Sequence, residues 1–522
     1  MRRLSTVLFL AAFCTFTAFA AVNPAGVFTD YTVLQQNEPV RIWGTAAPGE
    51  KVTVQFAGQE KNTVTSDRGE WLVTLDPMPS SFEPRTMVFN SSIGNRQSKI
   101  DNVLVGEVWL AGGQSNMQTT MNTYKKTTQK DIDSANDPLL RMITIPRKDF
   151  AEQETTAPNW QTTTPQDVAT FSASAYYFAK HLRETLKVPV GIVACSVGGT
   201  PAEAWMSRKT LESSPDLKRI LDSYEAGYRK NFASEEAYLK NVNEYSAAMK
   251  EWNRKQAAKE TPNPRPVEKM GPRNKNRPCG LHENMLTQTI PYTVKGVIWY
   301  QGESNAGSGF HYRTVFSTLI KEWREEFQNK NLPFLFVQLA SFGPVTDESP
   351  SWPELRESQS WTEENVKNTG MIVLTDGGEE KDIHPHSKDK VGYRLSLLAR
   401  NMVYGEKKLV CRGPRLKDAK CKDGAIELSF KDIGSGLMLK PEPVSAFEIC
   451  GKDGKFVPAK AELVKGKIIV SSENVKDPQE VRYGWKKWVV PTLFNAEGLP
   501  ASPFRTDDFP PATKDRFYLD GK

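Results

Sequence analysis

Five apolar runs alternating with amphipathic stretches leave few folds open to this chain. They read VLVGEVWLA, VPVGIVACS, KGVIWYQ, PFLFVQLA and GMIVLTD, between positions 103 and 376. Near-continuous apolar character, rather than strict alternation, marks strands buried on both faces, as in parallel sheets. The stretches between them carry the helical period. Phe171, Ala175, Phe178 and Leu182 fall at i, i+4, i+7 and i+11, while Val315, Leu319, Trp323 and Phe327 recur at every fourth position. Strands and helices in alternation imply βαβ units around a parallel sheet, here over about 102–406, closed by a helix that runs to Val403 and ends at Gly405.

The flanks have a different grammar. Residues 21–101 read as short alternating runs (VRIWGTA, KVTVQFAG, TVTSDRGEWLVTL, RTMVFNSS) punctuated by Pro-Gly and Asp-Arg-Gly turns, which predicts an antiparallel, sandwich-like β domain. Asp101 falls at the link to the core. In 407–522 the runs AIELSF, AFEIC, KIIVSS and KKWVVPTLF predict a second β domain. Inside the core, about 208–278 is a charged helical stretch followed by the Pro/Lys/Arg/Asn-rich loop TPNPRPVEKMGPRNKNRP, read as an insertion with a solvated face and a lid role. Three units agree with a length of 522 residues, more than one core usually organises.

The N-terminus predicts export. Arg2 and Arg3 precede an apolar run over 7–20 that ends in Ala18-Phe19-Ala20, the small-x-small pattern of a cleaved signal peptide spanning 1–20. A periplasmic or secreted protein follows, and no later run reaches the length of a membrane span. Bulky Phe13 before Cys14 does not suit a lipid-anchored terminus. The net charge of +6 is spread among interspersed acids and bases, so no nucleic-acid footprint stands out. Without Cys14 the chain keeps Cys195, Cys279, Cys411, Cys421 and Cys450, with no CxxC spacing. Cys411 with Cys421 is the most local disulfide candidate, against free thiols as the alternative.

In an open α/β sheet, ligands bind beyond the carboxyl ends of the strands. Three strands end in polar, glycine-bearing loops: Gly112-Gly113-Gln114-Ser115-Asn116, Ser196-Val197-Gly198-Gly199-Thr200 and Gln301-Gly302-Glu303-Ser304-Asn305. Ser115, on the sharpest of these turns, becomes a nucleophile only with a base beside it. His181 lies within an amphipathic helix, and His282 and His311 lack a flanking acid on a turn. His384 sits between a core strand and a helix whose Val391, Leu395, Leu398 and Met402 form an inward stripe. Asp382, two residues earlier, is placed to orient its ring, with Asp376 and Glu379 as rival acids. The backbone of Ser115, Gly198 or Gly199 and the carboxamide of Asn305 are candidate donors to an oxyanion. Asp382, His384, His386 and Asp389 also raise a metal reading, but their spacing fits no metal motif, and neither metal nor cofactor is assigned.

Four blocks, GEVWLAGGQSNM, VGGTPAEAWMS, GVIWYQGESNAG and DIHPHSKDKVGYRL, resemble the SGNH (GDSL-like) hydrolases and, more narrowly, the sialate O-acetylesterase family of carbohydrate esterases. The resemblance implies an SGNH-like three-layer α/β core flanked by β domains. It implies removal of acetyl esters from sugars, with Ser115 as nucleophile, His384 as base, and Gly199 and Asn305 as oxyanion donors. Two departures stand out. Lys381 occupies the position three before the histidine where the wider group has its acid, and Gly302-Glu303-Ser304-Asn305 replaces Gly-x-Asn-Asp. Gln114, Asn116, Trp205, Gln301 and Glu303 are assigned to substrate. Trp352 is a further candidate for stacking on a sugar ring and Arg208 for meeting a carboxylate, while Trp299 is read as core. An acetylated glycan is the expected partner, with acetyl xylan and a non-catalytic sugar-binding role as the rival readings. The sequence does not fix the oligomeric state.

Overall fold

The computed structural model describes residues 22–93, 96–260, 264–441 and 446–517. The expected signal peptide, 1–20, lies outside them. All five predicted core strands are present. They are β1 (Gln97–Gly113), β4 (Val190–Ser196), β5 (Gly296–Tyr300), β6 (Phe334–Val337) and β7 (Thr369–Ile372), and two edge strands, β2 (Asp137–Thr144) and β3 (Trp160–Thr163), extend the sheet. The order is β3-β2-β4-β1-β5-β6-β7, parallel throughout except for antiparallel β3 at the edge. The two edge strands escaped the sequence reading because β2 carries Pro138 and Arg141 and β3 is only four residues of WQTT. Arg141 is buried nonetheless, because its guanidinium donates to the carbonyls of Pro138, Tyr31 and Asn102.

Successive strand residues feed opposite faces, which creates the layers. Val108, Leu110, Val297 and Trp299 join one apolar cluster, and Trp109, Ala111, Ile298 and Tyr300 join another. The first cluster is covered by α6 (Tyr312–Glu326) through Phe316, Leu319 and Trp323. The second is covered by α2 (Ala173–Leu186) and α8 (Lys388–Met402) through Phe178, Leu182, Val391, Leu395 and Leu398. Gly392 lets these two helices touch, since a Cβ there would lie 2.4 Å from the Phe178 nitrogen. The remaining principal helices are α1 (Ser115–Gln118), α3 (Pro215–Asn231), α4 (Glu235–Ala257), α5 (Gly280–Asn284) and α7 (Ser351–Asn365). In α3 and α4 only Leu217, Ile220, Tyr224 and Tyr238 are buried, so the insertion is helical with a largely solvated face.

The N-terminal region is antiparallel β, built from Val40–Thr45, Lys51–Phe56, Gln59–Val64, Glu70–Leu75 and Ser81–Ser91. Val40–Thr45 and Glu70–Leu75 pair in a separate three-stranded sheet, while Lys51–Phe56, Gln59–Val64 and Ser81–Ser91 share their sheet with the core. The early part of the 17-residue β1 pairs antiparallel with Ser81–Ser91, and its later part pairs in parallel with β4 and β5. The change of sequence grammar at 101/102 therefore falls within one continuous strand.

The C-terminal β unit contains Ala425–Lys431, Phe447–Cys450 and Lys467–Ser471 as expected, but KKWVVPTLF forms a strand only at Leu493–Asn495. Its first half is a strap on the core. The fully buried Arg356 of α7 donates to the carbonyls of Lys486 and Lys487 in the strap and of Leu339 and Ala340 after β6, and the Ser341 hydroxyl donates to the Val489 carbonyl. The Lys486 and Val489 carbonyls bind side chains of the core instead of a neighbouring strand, and that of Lys487 also accepts the Phe342 N–H. Of the two readings of Cys411 and Cys421, free thiols hold: Cys411 is buried, Cys421 is exposed, and no bridge joins them. Among the described residues no helix is long and apolar enough to cross a membrane. Replacing Arg356 by Ala strips the Leu339 and Lys486 carbonyls of their donor and leaves those of Ala340 and Lys487 only the Trp352 indole and the Phe342 N–H, so a loss of about 3 kcal/mol is expected, read as a lowered midpoint in thermal or urea unfolding. Arg356→Lys, which lacks the planar fork, recovers only part of it.

Candidate active site

The turn out of β1 is set by backbone crowding. Gly113 has φ +135°, and a Cβ on it would sit 2.2 Å from the Tyr300 carbonyl oxygen of the neighbouring strand. Only glycine fits. The next N–H, of Gln114, donates to that same carbonyl at 2.9 Å, and the chain passes at once into α1. Ser115 thus stands half-buried at the first helical position, over the carboxyl end of the sheet. Gly198 of the second loop packs against it, because a Cβ there would meet the Ser115 Cβ at 3.2 Å.

The residue after the serine ties this turn to the histidine loop. The Asn116 carboxamide is buried, and its Nδ2 donates to the Ile383 carbonyl at 3.0 Å and to Glu303 Oε1 at 2.6 Å. Its Oδ1 accepts from Lys388 Nζ. The neighbours of Ser115 and His384 are therefore clamped together. His384 is held by Asp382, whose Oδ1 accepts the His384 backbone N–H at 2.8 Å and lies 3.3 Å from Nδ1. The rival acids are committed elsewhere. Asp376 pairs with Arg394 at 2.6 Å and with Lys390, while Glu379 pairs with His386 at 3.2 Å.

Electrostatics favour a neutral imidazole. Partial burial holds the His384 pKa below its ordinary value, and nearby Lys388 pushes it further down while Asp382 pulls it up. Lys388 is itself enclosed, with its Nζ 5.3 Å from the ring centres of Tyr124 and Tyr300, and burial lowers its pKa to about 7. Burial likewise raises Glu303, whose Oε2 is enclosed without a partner. Lys388 went unread in the sequence although a signal was present. It lies three residues before Val391 and seven before Leu395, on the inward stripe of its helix.

The oxyanion candidates divide. Asn305 does not face the serine, because its Nδ2 donates to both oxygens of Glu203 at 3.0 and 2.8 Å while its Oδ1 accepts from the Ala202 N–H and Gln301 Nε2. The Gly198 N–H is taken by Gln118 Oε1 at 2.7 Å. Among the described residues the N–H groups of Ser115 and Gly199 have no such partner. Gly199 is exposed at φ +70°, with Lys275 Nζ beside it, bound to the Gly198 carbonyl. Lys275 comes from the loop of the insertion, too far along the chain for local spacing to reveal.

Most residues assigned to substrate are structural. Trp205 is fully buried, with its indole N–H donating to Thr200 Oγ1 at 3.1 Å and its ring edge-on to Trp299, so it presents no face to a sugar. Gln301 is equally buried, joining the Thr200 carbonyl, Asn305 and the Tyr312 hydroxyl. Gln114 Oε1 accepts the Ser304 N–H and so ties the first loop to the third. Trp352 is buried on α7, donating to the Ala340 carbonyl, and Arg208 pairs with Glu212 on the surface. Glu303 alone of the five remains at the rim, half-buried.

A serine at the strand-to-helix turn of a parallel sheet, clamped to the loop of a histidine with its own carboxylate, defines a carboxylic ester hydrolase of the SGNH-like class. The family model described as carbohydrate esterase, sialic acid-specific acetylesterase matches residues 105–261 and 276–402. The sialate O-acetylesterase of Mus musculus is 29% identical over 95% of this chain and 96% of its own, and that of Homo sapiens 28% over 90% of each. The solved structure of a carbohydrate acetylesterase from Xanthomonas citri is 33% identical, covers 94% of this chain and 100% of its own, and superposes with a TM-score of 0.76. The chain belongs to the sialic acid-specific acetylesterase family of carbohydrate esterases.

Replacing Lys388 by Met removes both the clamp on Asn116 and a positive charge near His384. A fall in kcat of about tenfold or more is expected, of the size that a misplaced catalytic group costs. The pH profile moves with a definite sign. Because His384 acts neutral and its pKa is depressed, wild-type kcat/KM falls only as pH drops below the ordinary histidine range. Without Lys388 the imidazole is easier to protonate and this acid limb moves to higher pH, while in Asp382→Asn it moves lower. Steady-state pH profiles on a chromogenic acetyl ester check both directions.

Proposed function

We propose that the protein is an exported serine esterase that removes O-acetyl groups from sialic acids, in the periplasm or outside the cell. The observation that carries the mechanism is the Asn116 clamp, which fixes the residue after Ser115 to the residue before His384. Ser115 Oγ attacks the acetyl carbonyl as His384 takes its proton, and Asp382 holds the ring and stabilises the imidazolium. The N–H groups of Ser115 and Gly199 receive the oxyanion. The sugar hydroxyl leaves with the proton from His384, and water, activated by the same imidazole, then releases acetate from Ser115. No step calls for a cofactor. Arg2, Arg3 and the apolar run over 7–20 support export, and the names of the relatives from mouse and human support the sugar.

Ser115→Ala and His384→Ala are each expected to lower turnover of a chromogenic acetyl ester by ~10³ or more, and loss of less than threefold refutes the assignment. Comparing kcat/KM on O-acetylated sialic acid and on acetylated xylan tests the sugar. Faster deacetylation of the sialic acid is predicted, and preference for xylan overturns that choice while leaving the serine mechanism standing.

A further inference from the structure

Apart from the catalytic rim, α5 and α6 bury a second group of titratable side chains that the esterase mechanism does not use. Glu322 and Glu326 stand one turn apart on α6, and His282 faces them from α5. One potential ligand atom from each of the three lies within 4.8 Å of the other two. His282 Nε2 is 2.8 and 3.0 Å from the two oxygens of Glu326. Glu322 is 6% exposed, and its Oε1 accepts the Ser207 N–H at 3.0 Å and the Thr210 hydroxyl at 2.7 Å. Its other oxygen, Oε2, is buried with no hydrogen-bond partner.

That orphan oxygen and the charge balance point the same way. Two carboxylates share one imidazole, and the charged groups acting on Glu322 are His282 and Glu326, with no lysine or arginine among them. Protonating Glu322 relieves the charge but supplies no acceptor for the new O–H, so a buried polar atom still goes unmatched. A cation answers both deficits at once. One imidazole and two carboxylates on facing helices form the mixed nitrogen and oxygen donor set of zinc and its neighbours, whereas calcium selects oxygen alone. We propose that His282, Glu322 and Glu326 hold a divalent cation of the zinc class, with water completing its shell. The site is structural. It cross-links α5 to α6 and, through Ser207 and Thr210, fastens the root of the helical insertion to the core.

The test uses the full-length protein stripped with EDTA and titrated with zinc alone against a chromogenic chelator, with thermal melting alongside. One equivalent per chain is expected, raising the melting midpoint by about 3 °C or more at saturating zinc. Glu322→Gln keeps an acceptor for Ser207 and Thr210 and should weaken binding at least tenfold, with hydrolysis of an acetyl ester in EDTA verifying the fold. Should that variant fail to fold, Glu326→Gln takes its place with the same expectation. Less than one equivalent bound by the wild type overturns the proposal. So does undiminished binding by the folded variant, which would put the metal at other residues such as the half-buried His384 and the exposed His386.

Discussion

One buried carboxamide organises the catalytic end of this molecule. Asn116 follows Ser115 directly, and its carboxamide binds three parts of the chain: Oδ1 accepts from Lys388 at the start of α8, while Nδ2 donates to Glu303 after β5 and to the carbonyl of Ile383. An amide donates and accepts without carrying charge, so it can sit between a buried ammonium and a buried carboxylate and keep both hydrogen-bonded. Loops separated by more than 180 residues in sequence are thereby held in one register. The serine and histidine inherit their proximity from this contact rather than from a bond of their own.

The rest of the core exists to present that contact. Strands buried on both faces give a rigid sheet, and glycines at the end of β1 let the chain turn within touching distance of β5. Buried amides and acids behind the rim, Gln114, Gln301, Asn305 and Glu203, lock the three loops to one another. Such a fully bonded polar layer costs little once formed and fixes geometry to a fraction of an ångström, which is what a nucleophile without a permanent partner requires. The N-terminal β region shares β1 with the core, and the C-terminal unit is strapped to it through Arg356, so both flanks brace the sheet rather than hang from it.

What could be read in the sequence divides along physical lines. The core strands and the main helices were legible, because apolar periodicity is a local signal, and glycine-bearing strand ends pointed to Ser115, with His384 and Asp382, as the candidate set. The roles of Asn305, Trp205 and Gln301 were misread, because a polar or aromatic residue in a loop looks the same whether it faces a ligand or a buried partner. Only tertiary contacts distinguish Asn305 bonded to Glu203 from Asn305 aimed at a substrate. The strap at 486–492 shows the same limit, since extended backbone reads as strand until Arg356 and Ser341 claim its carbonyls. Lys388 is the instructive omission: a charge on an inward helical stripe is a signal that periodicity does contain.

The account rests on a serine hydroxyl made nucleophilic by the imidazole clamped beside it. Labelling the intact protein with a serine-directed fluorophosphonate, followed by peptide mass mapping across a pH series, tests this most directly. A single adduct on Ser115, formed at a rate that falls with protonation of His384, is the predicted result. Labelling of a different serine, or a rate on Ser115 that is unchanged when His384 is replaced, would contradict it.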